Sequence, residues 1–361
     1  MKISFDGSKQ LVVYAVDKHH PHGRENMLFD RSVVGEHAEI SPFLYEECLR
    51  REIQLVTPDI YFSLPQKPAK TIFIMDGATS GSTRDLARAG LRPVLLMVIE
   101  SPIYPCRFFY NLERETKPFD YAMLPRGAAP RVAKTTKFLP FIPTQLFTGT
   151  ERVQANFLKR KYLTIITTNK RVHHLRRLYV HVMQFLKPFP SFVDRELYRD
   201  RLEAIRYFSH DPEFDLYGRG WNDPVRYEDM RYREAITKSY RGAADRKLPV
   251  LMGYKFSICF ENSIFDGYVT EKIIDSLFAG CVPVYWGAPD IADYVPKECF
   301  IDFRNFKSYE ALEKYLKNMD EKTFNGYIEN MNKFISSDQY HNYFSKEKFA
   351  EDIIKILKSY F

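Results

Sequence analysis

The stretch YKFSICFENSIFDGYVTEKIIDSLFAGCVPVYWG, Tyr254 to Gly287, decides the fold. Phe256 to Phe260 is short, apolar and aromatic, and it runs into Glu261-Asn262-Ser263, as a buried strand does when it delivers polar groups at its carboxyl edge. Thr270 is placed to cap a helix that begins at Glu271-Lys272. Ile273, Ile274, Leu277 and Phe278 then recur at helical spacing, and Gly280 is placed to stop the helix. Val282 to Trp286 reads as the next strand. The unit is strand, helix, strand, with Lys272 in the first helical turn.

A helix amino terminus presents unpaired amide donors and the positive end of its dipole, so it favours an anion such as a phosphate. Lys272 adds a full charge at that point. The competing reading is that Glu271 and Lys272 form a solvated pair at the start of an amphipathic helix.

Outward from this unit the chain alternates apolar runs with helical patterns. Leu11 to Val16, Thr71 to Met75, Pro93 to Ile99 and Tyr121 to Leu124 are strand-like, while Pro42 to Ile53 and Thr83 to Ala89 are helix-like. Phe138 to Val153, with two prolines and several threonines, reads as a linker. A new strand at Tyr162 to Thr167 and a helix at Leu175 to Leu186 follow it. Alternation of this kind predicts mostly parallel, doubly wound sheets. The expected class is α/β, with two Rossmann-like domains facing a cleft, over 1–153 and 154–339. A terminal helix over 340–361 is expected to pack back on the first domain. Pro93 to Ile99 ends in Glu100-Ser101-Pro102, which puts a carboxylate at a sheet's carboxyl edge; Glu100 is a candidate general base, or a strand-end glutamate capping the next turn.

Phe260-Glu261-Asn262, Tyr268-Val269-Thr270-Glu271-Lys272, Val282-Pro283-Val284 and Gly287 together resemble the diagnostic motif of the alpha-1,3-fucosyltransferases, glycosyltransferase family 10. The similarity continues through Tyr294-Val295-Pro296 and the expected strand Phe300 to Phe303, covering most of the second half clearly and the first half weakly. The resemblance implies the GT-B fold and transfer of L-fucose from GDP-fucose, with inversion, to a glycan hydroxyl. The implied linkage is alpha-1,3 to GlcNAc or Glc of a lipopolysaccharide or surface oligosaccharide. It implies Glu100 as the base, since relatives carry an ESP sequence there, although Ile103 and Tyr104 stand where relatives often have Ser or Thr and then His. In the family an Asn at the end of the second domain's first strand is followed seven residues on by a pyrophosphate-binding arginine. Asn169 and Arg176 match that spacing, with Arg177 as an adjacent competitor. On this reading Arg176 and Lys272 neutralise the departing diphosphate, Asn262 and Tyr268 hydrogen-bond its oxygens, and Glu271 accepts from ribose or sugar hydroxyls. No cofactor is required and no metal is built into the site, a divalent cation being at most stimulatory.

The composition agrees with an enzyme. At 361 residues and 45% hydrophobic content the chain can bury two cores. No apolar run of about 18 residues is present, Met1 to Val16 does not read as a signal peptide, and five scattered cysteines without a CxxC pair fit a reducing compartment. A bacterial cytoplasmic enzyme is expected. A net charge of +7, concentrated over Leu158 to Arg177, admits nucleic acid, an anionic membrane or a polyanionic substrate. No nucleic-acid module is recognisable, so the expected partners are GDP-fucose and an oligosaccharide, with peripheral contact to an anionic inner membrane. The segment that could make such contact is Ser345 to Phe361, apolar on one face and lysine-rich elsewhere; packing on its own protein is the preferred reading. Gly77 to Ser82 lacks the lysine of a phosphate loop, and His19-His20-Pro21-His22 has no matching ligand cluster for a metal.

Overall fold

Two all-parallel sheets are built from continuous apolar strands. The computed structural model describes residues 10–17, 20–34, 40–68, 70–78, 81–141, 155–186, 195–223 and 227–361. The linker expected over Phe138 to Val153 falls largely outside these residues, as do His19, Thr79 and Ser80. By internal contacts the chain divides into Met1–Thr148 with Asn342–Phe361, and Gly149–His341.

The first unit holds a six-stranded sheet in the order β2-β1-β3-β4-β5-β6, with β1 Gln10–Val16, β2 Ile53–Val56, β3 Ile72–Asp76, β4 Arg92–Met97, β5 Tyr121–Leu124 and β6 Lys137–Pro140. Leu11 to Val16 are all buried, the pattern of a parallel strand covered on both faces. Two expectations are corrected here. The helix expected over Pro42 to Ile53 spans Ile40–Leu49 instead; the chain turns at Glu52, whose φ is 63°, and Ile53 opens β2, whose four residues are all buried. Phe138 and Leu139, expected in a linker, belong to the edge strand β6. The Lys346–Lys358 helix lays Phe349, Ile353, Ile354 and Leu357 into this unit's core beside Leu44, Tyr45 and Cys48. Phe141 stacks on Phe349 at 5.7 Å, and the Tyr360 hydroxyl donates to Asp120 at 2.9 Å. The apolar face that could have met a membrane is thus consumed by the core.

The second unit holds a five-stranded sheet, β11-β10-β9-β7-β8, with β7 Lys161–Ile166, β8 Phe214–Tyr217, β9 Tyr254–Phe260, β10 Val282–Trp286 and β11 Ile301–Asp302. Strand β9 is central, and every residue from Phe256 to Phe260 is buried. The Glu271–Phe278 helix joins β9 to β10, and a buried guanidinium ties its end to the start of β9: Arg160 donates to Ala279 O at 2.9 Å, Gly280 O at 2.6 Å and Tyr254 O at 3.0 Å. At the end of β8, Gly218 has φ +130°, and a Cβ there would lie 2.0 Å from the Thr167 carbonyl oxygen. Only glycine lets the ends of β7 and β8 approach this closely.

Candidate active site

The carboxyl edge of the second sheet is organised around Glu261, which is fully buried one residue beyond β9. Its carboxylate accepts from the Thr270 amide at 2.8 Å, the Thr270 hydroxyl at 2.7 Å and Lys272 Nζ at 3.3 Å. Thr270 does occupy the cap position of the Glu271–Phe278 helix, but its side chain makes no cap hydrogen bond, because the hydroxyl is turned to Glu261 and also accepts from Lys272 at 2.8 Å. Thr270 therefore leaves the helix amino terminus uncapped, and Lys272 is aimed beside it by a buried carboxylate. Gly287 completes the packing: a Cβ would meet Glu261 Cγ at 2.4 Å and the Tyr285 hydroxyl at 2.6 Å. The 266–268 turn is pinned by Asp290, which accepts from Gly267 N at 2.8 Å.

Asn262 and Tyr268 come together as expected from the motif, and a residue absent from the sequence reading joins them. Asn262 Nδ2 donates to the Tyr268 hydroxyl at 3.1 Å, and Asn262 Oδ1 accepts from Arg201 at 2.9 Å. Arg201 is buried; it also donates to Phe260 O at 2.9 and 2.6 Å and to Thr167 Oγ1 at 3.1 Å, tying the ends of β7 and β9 together. Burial lowers its pKa. Arg201 falls on the inward face of the Tyr198–Phe208 helix with Tyr198, Ala204, Ile205 and Phe208, and that spacing is the signal by which it could have been found. Arg195 was missed as well. Its carbonyl accepts from Ile264 N at 2.7 Å, Leu197 N donates to Asn262 O at 3.1 Å, and Glu196 bridges Ser263, which carries the exposed Arg195 alongside the loop after β9.

Asn169 lies past the end of β7 with its amide engaged: Nδ2 donates to Gly220 O at 2.8 Å, and Oδ1 accepts from the Tyr227 hydroxyl at 2.7 Å. A cavity of about 220 Å³ opens here, lined among others by Thr167, Asn169, Arg171, Arg177, Trp221 and Tyr227. Arg171 lies 3.8 Å over the Tyr227 ring. Of the two adjacent arginines it is Arg177 that lines the cavity, held by Glu196 at 2.5 Å; Arg176 is half-buried on the His174–Leu186 helix outside that lining.

Glu271, expected to meet sugar hydroxyls, is in an ion cluster. Lys247 Nζ lies 3.1 Å from its carboxylate and 3.4 Å from that of Asp275, and Lys272 lies 3.7 Å from Glu271. Burial raises the Glu271 pKa, but Lys272 and Lys247 outweigh it and hold the carboxyl well below its usual range. Asp275 goes the other way: burial, with Glu271 adding to it and Lys247 opposing, pushes it from 3.8 to about 6. A raised folded pKa means that the contribution of Asp275 to stability is complete below about pH 4 and is lost as pH rises through about 6. Urea unfolding of Asp275→Asn is accordingly expected to show stability relative to the parent increasing from pH 4 to pH 6. A difference independent of pH contradicts this assignment.

In the first unit Glu100 is exposed three residues beyond β4, next to the buried Ser101, whose carbonyl accepts from Tyr104 N at 2.9 Å. Gly77 N donates to Met97 O at 2.7 Å, joining the ends of β3 and β4. Asp76, at the end of β3, accepts from the Tyr14 hydroxyl at 2.7 Å; burial raises its pKa, and the charge of Glu100 adds to the rise. Two carboxylates thus share this sheet's carboxyl edge. Among the described residues no three His, Cys, Asp or Glu side chains cluster in a way that could hold a metal ion. All five cysteines are free and buried, and no helix among the described residues is long and apolar enough to cross a membrane.

With this geometry in place, residues 193–356 match the family model "Glycosyltransferase family 10 (fucosyltransferase) C-term". That segment is similar to the carboxyl-terminal domain of glycosyltransferase family 10. The matched segment begins just before Arg195 and includes Arg201, Glu261, Asn262, Tyr268, Glu271 and Lys272. It is 47% identical over 68 residues to an alpha-(1,3)-fucosyltransferase, FucT, of Helicobacter pylori, covering 19% of this chain and 14% of that protein. It is 35% identical over 133 residues to the GDP-fucose protein O-fucosyltransferase 3 of Homo sapiens, covering 36% and 26% respectively. The matches thus span about a seventh to a quarter of these curated relatives. A crystal structure of an alpha1,3-fucosyltransferase superposes with a TM-score of 0.53 at 19% identity over 99% of this chain and 93% of that one. WaaG, a glycosyltransferase involved in lipopolysaccharide biosynthesis, superposes at 0.53 and 13% identity over 95% and 99%. At such identities the likeness concerns the fold, two parallel-sheet α/β units of the GT-B type.

Proposed function

We propose that this protein transfers L-fucose from GDP-fucose to a hydroxyl of a glycan acceptor with inversion at the anomeric carbon, Glu100 acting as general base. The observation that carries the reading is the start of the Glu271–Phe278 helix, to which Thr270 gives no cap bond, with Lys272 held beside it by the buried Glu261, inside a segment that matches the family-10 domain. Such a place suits a diphosphate: helix amides and an ammonium meet the negative charge that develops as the sugar departs. Lys272 supplies the neutralising charge together with an arginine. Arg195, carried along the same loop, joins Arg176 and Arg177 as a candidate for that role. Asn262, Tyr268 and Asn169 orient the nucleotide, with Arg201 fixing Asn262 from beneath. Glu271 accepts from the nucleotide's hydroxyls, held ionised by its two lysines. Glu100 takes the proton of the acceptor hydroxyl as its oxygen attacks the anomeric carbon and the bond to GDP breaks. The implied acceptor is a GlcNAc or Glc residue linked at its 3-hydroxyl.

The test is mass spectrometry of reactions of the full chain with GDP-fucose and a panel of oligosaccharides. A product heavier by one deoxyhexose, accompanied by GDP, is expected from at least one acceptor. Transfer from a UDP- or CMP-sugar in preference to GDP-fucose would sink the proposal.

A further inference from the structure

The His174–Leu186 helix is turned inside out. Of the thirteen well-exposed large apolar residues among the described residues, five lie on this one helix: Leu175 (61% exposed), Leu178 (61%), Val182 (51%), Phe185 (90%) and Leu186 (65%). At about 100° per residue they share an arc of roughly 100°, whereas Val180, on the other side, is the helix's one buried residue. An ordinary surface helix buries its apolar stripe and shows its polar face. Here the apolar stripe is the exposed face and Val180 the buried one.

The charge around the stripe is one-sided. From Thr168 through Leu186 the chain carries Lys170, Arg171, Arg176, Arg177 and three histidines, with no aspartate or glutamate. Arg176 and Arg177 leave the helix on opposite sides, each roughly 130° from the stripe's centre by the same helical arithmetic, and Arg177 is paired with Glu196. An exposed apolar stripe on a segment of purely basic charge matches an interface in which hydrocarbon meets the stripe and anionic headgroups lie around the helix. The stripe itself contains only Leu, Val and Phe, so nothing in it needs a hydrogen-bonding partner.

We infer that the His174–Leu186 helix is a lipid-docking element that seats the protein on anionic bilayers, its five apolar side chains entering the acyl boundary and the basic character of residues 168–186 favouring anionic headgroups. The element is distinct from the terminal helix, whose apolar face lies in the core of the first unit. It also lies upstream of the segment matched by the family.

Co-sedimentation of the full chain with vesicles tests this. Phosphatidylcholine vesicles containing phosphatidylglycerol are expected to carry down at least about fivefold more protein than phosphatidylcholine alone, and L178S/F185S to lose about fivefold or more of that binding. The melting temperature should stay unchanged, because both side chains are exposed. L158S, which removes another highly exposed leucine, should bind as the parent does. Equal sedimentation of parent and L178S/F185S, or no preference for the anionic vesicles, overturns the inference. So does a parent that dimerises through this helix and ignores both vesicles while L178S/F185S is monomeric, since the stripe would then be an interface between copies of the chain.

Discussion

Glu100→Gln is expected to lower the rate of fucose transfer by about 10²–10⁴-fold while leaving GDP affinity within about twofold of the parent. The size follows from what a positioned base contributes, and the split follows from Glu100 being an exposed residue of the first unit whereas Glu261 and Lys272 belong to the second. Glutamine keeps the length and shape of the side chain and removes only its capacity to take a proton. The alternative reading, a strand-end glutamate that stabilises the next turn, makes a different forecast. The turn is already closed by the bond from Tyr104 N to the Ser101 carbonyl, so a structural role would appear as a lowered melting temperature with turnover nearly intact. Steady-state kinetics together with thermal unfolding of the same preparation separate the two.

Lys272→Met is expected to damage both stability and donor binding, and a second substitution should pull the two effects apart. Glu261 has no exposure, and Lys272, only 16% exposed, is its cationic partner. Removing the ammonium leaves a buried carboxylate with only the Thr270 amide and hydroxyl as donors, which is expected to cost about 3 kcal/mol. Loss of a charge-assisted hydrogen bond to phosphate should separately weaken GDP by about 2 kcal/mol, roughly 30-fold in Kd. In E261Q/K272M the unpaired charge is gone, so stability is expected to recover by more than half while GDP affinity stays low. If affinity recovers along with stability, Lys272 acts on the nucleotide only by supporting the fold.

How much of this could be read from residues alone differs from element to element. The β9, helix, β10 unit was legible because three signals agree on it: a continuous apolar strand, a 3.6-residue period and a glycine at the helix end. Strand β2 was absorbed into a helix because Leu49 and Ile53 stand four residues apart, a spacing that fits a helical stripe; the positive φ of Glu52, a non-glycine residue, left no mark in the sequence. Strand β6 read as linker because of its proline. Pro140 is the last residue of an edge strand, where a missing amide donor is tolerated. Asp215 disguised β8, since a four-residue strand with a central carboxylate looks polar until Lys161, Arg241 and Tyr254 are seen to surround it.

The site shows the same division. The grouping of Asn262, Tyr268 and Lys272 is legible because their spacing along the chain sets their spacing in space, all within one loop and the helix it opens. Arg201 and Arg195 come from 61 and 67 residues earlier than Asn262 and reach it through burial and main-chain pairing, which no local pattern encodes. Glu271 was identified as a polar group of the site, but its lysine partner Lys247 sits on a separate short helix, Lys247–Leu251, and only folding brings the two together.

In the proposed reaction the edge formed by Glu261, Thr270 and Lys272 binds the diphosphate of a guanine nucleotide. Calorimetric titration of GDP and of UDP into the full chain and into E261Q/K272M measures this directly. The account predicts that GDP binds the parent more tightly than UDP does and that its affinity falls by roughly 30-fold in a still-folded E261Q/K272M. Undiminished GDP affinity in that variant, or a parent that prefers UDP, would contradict it.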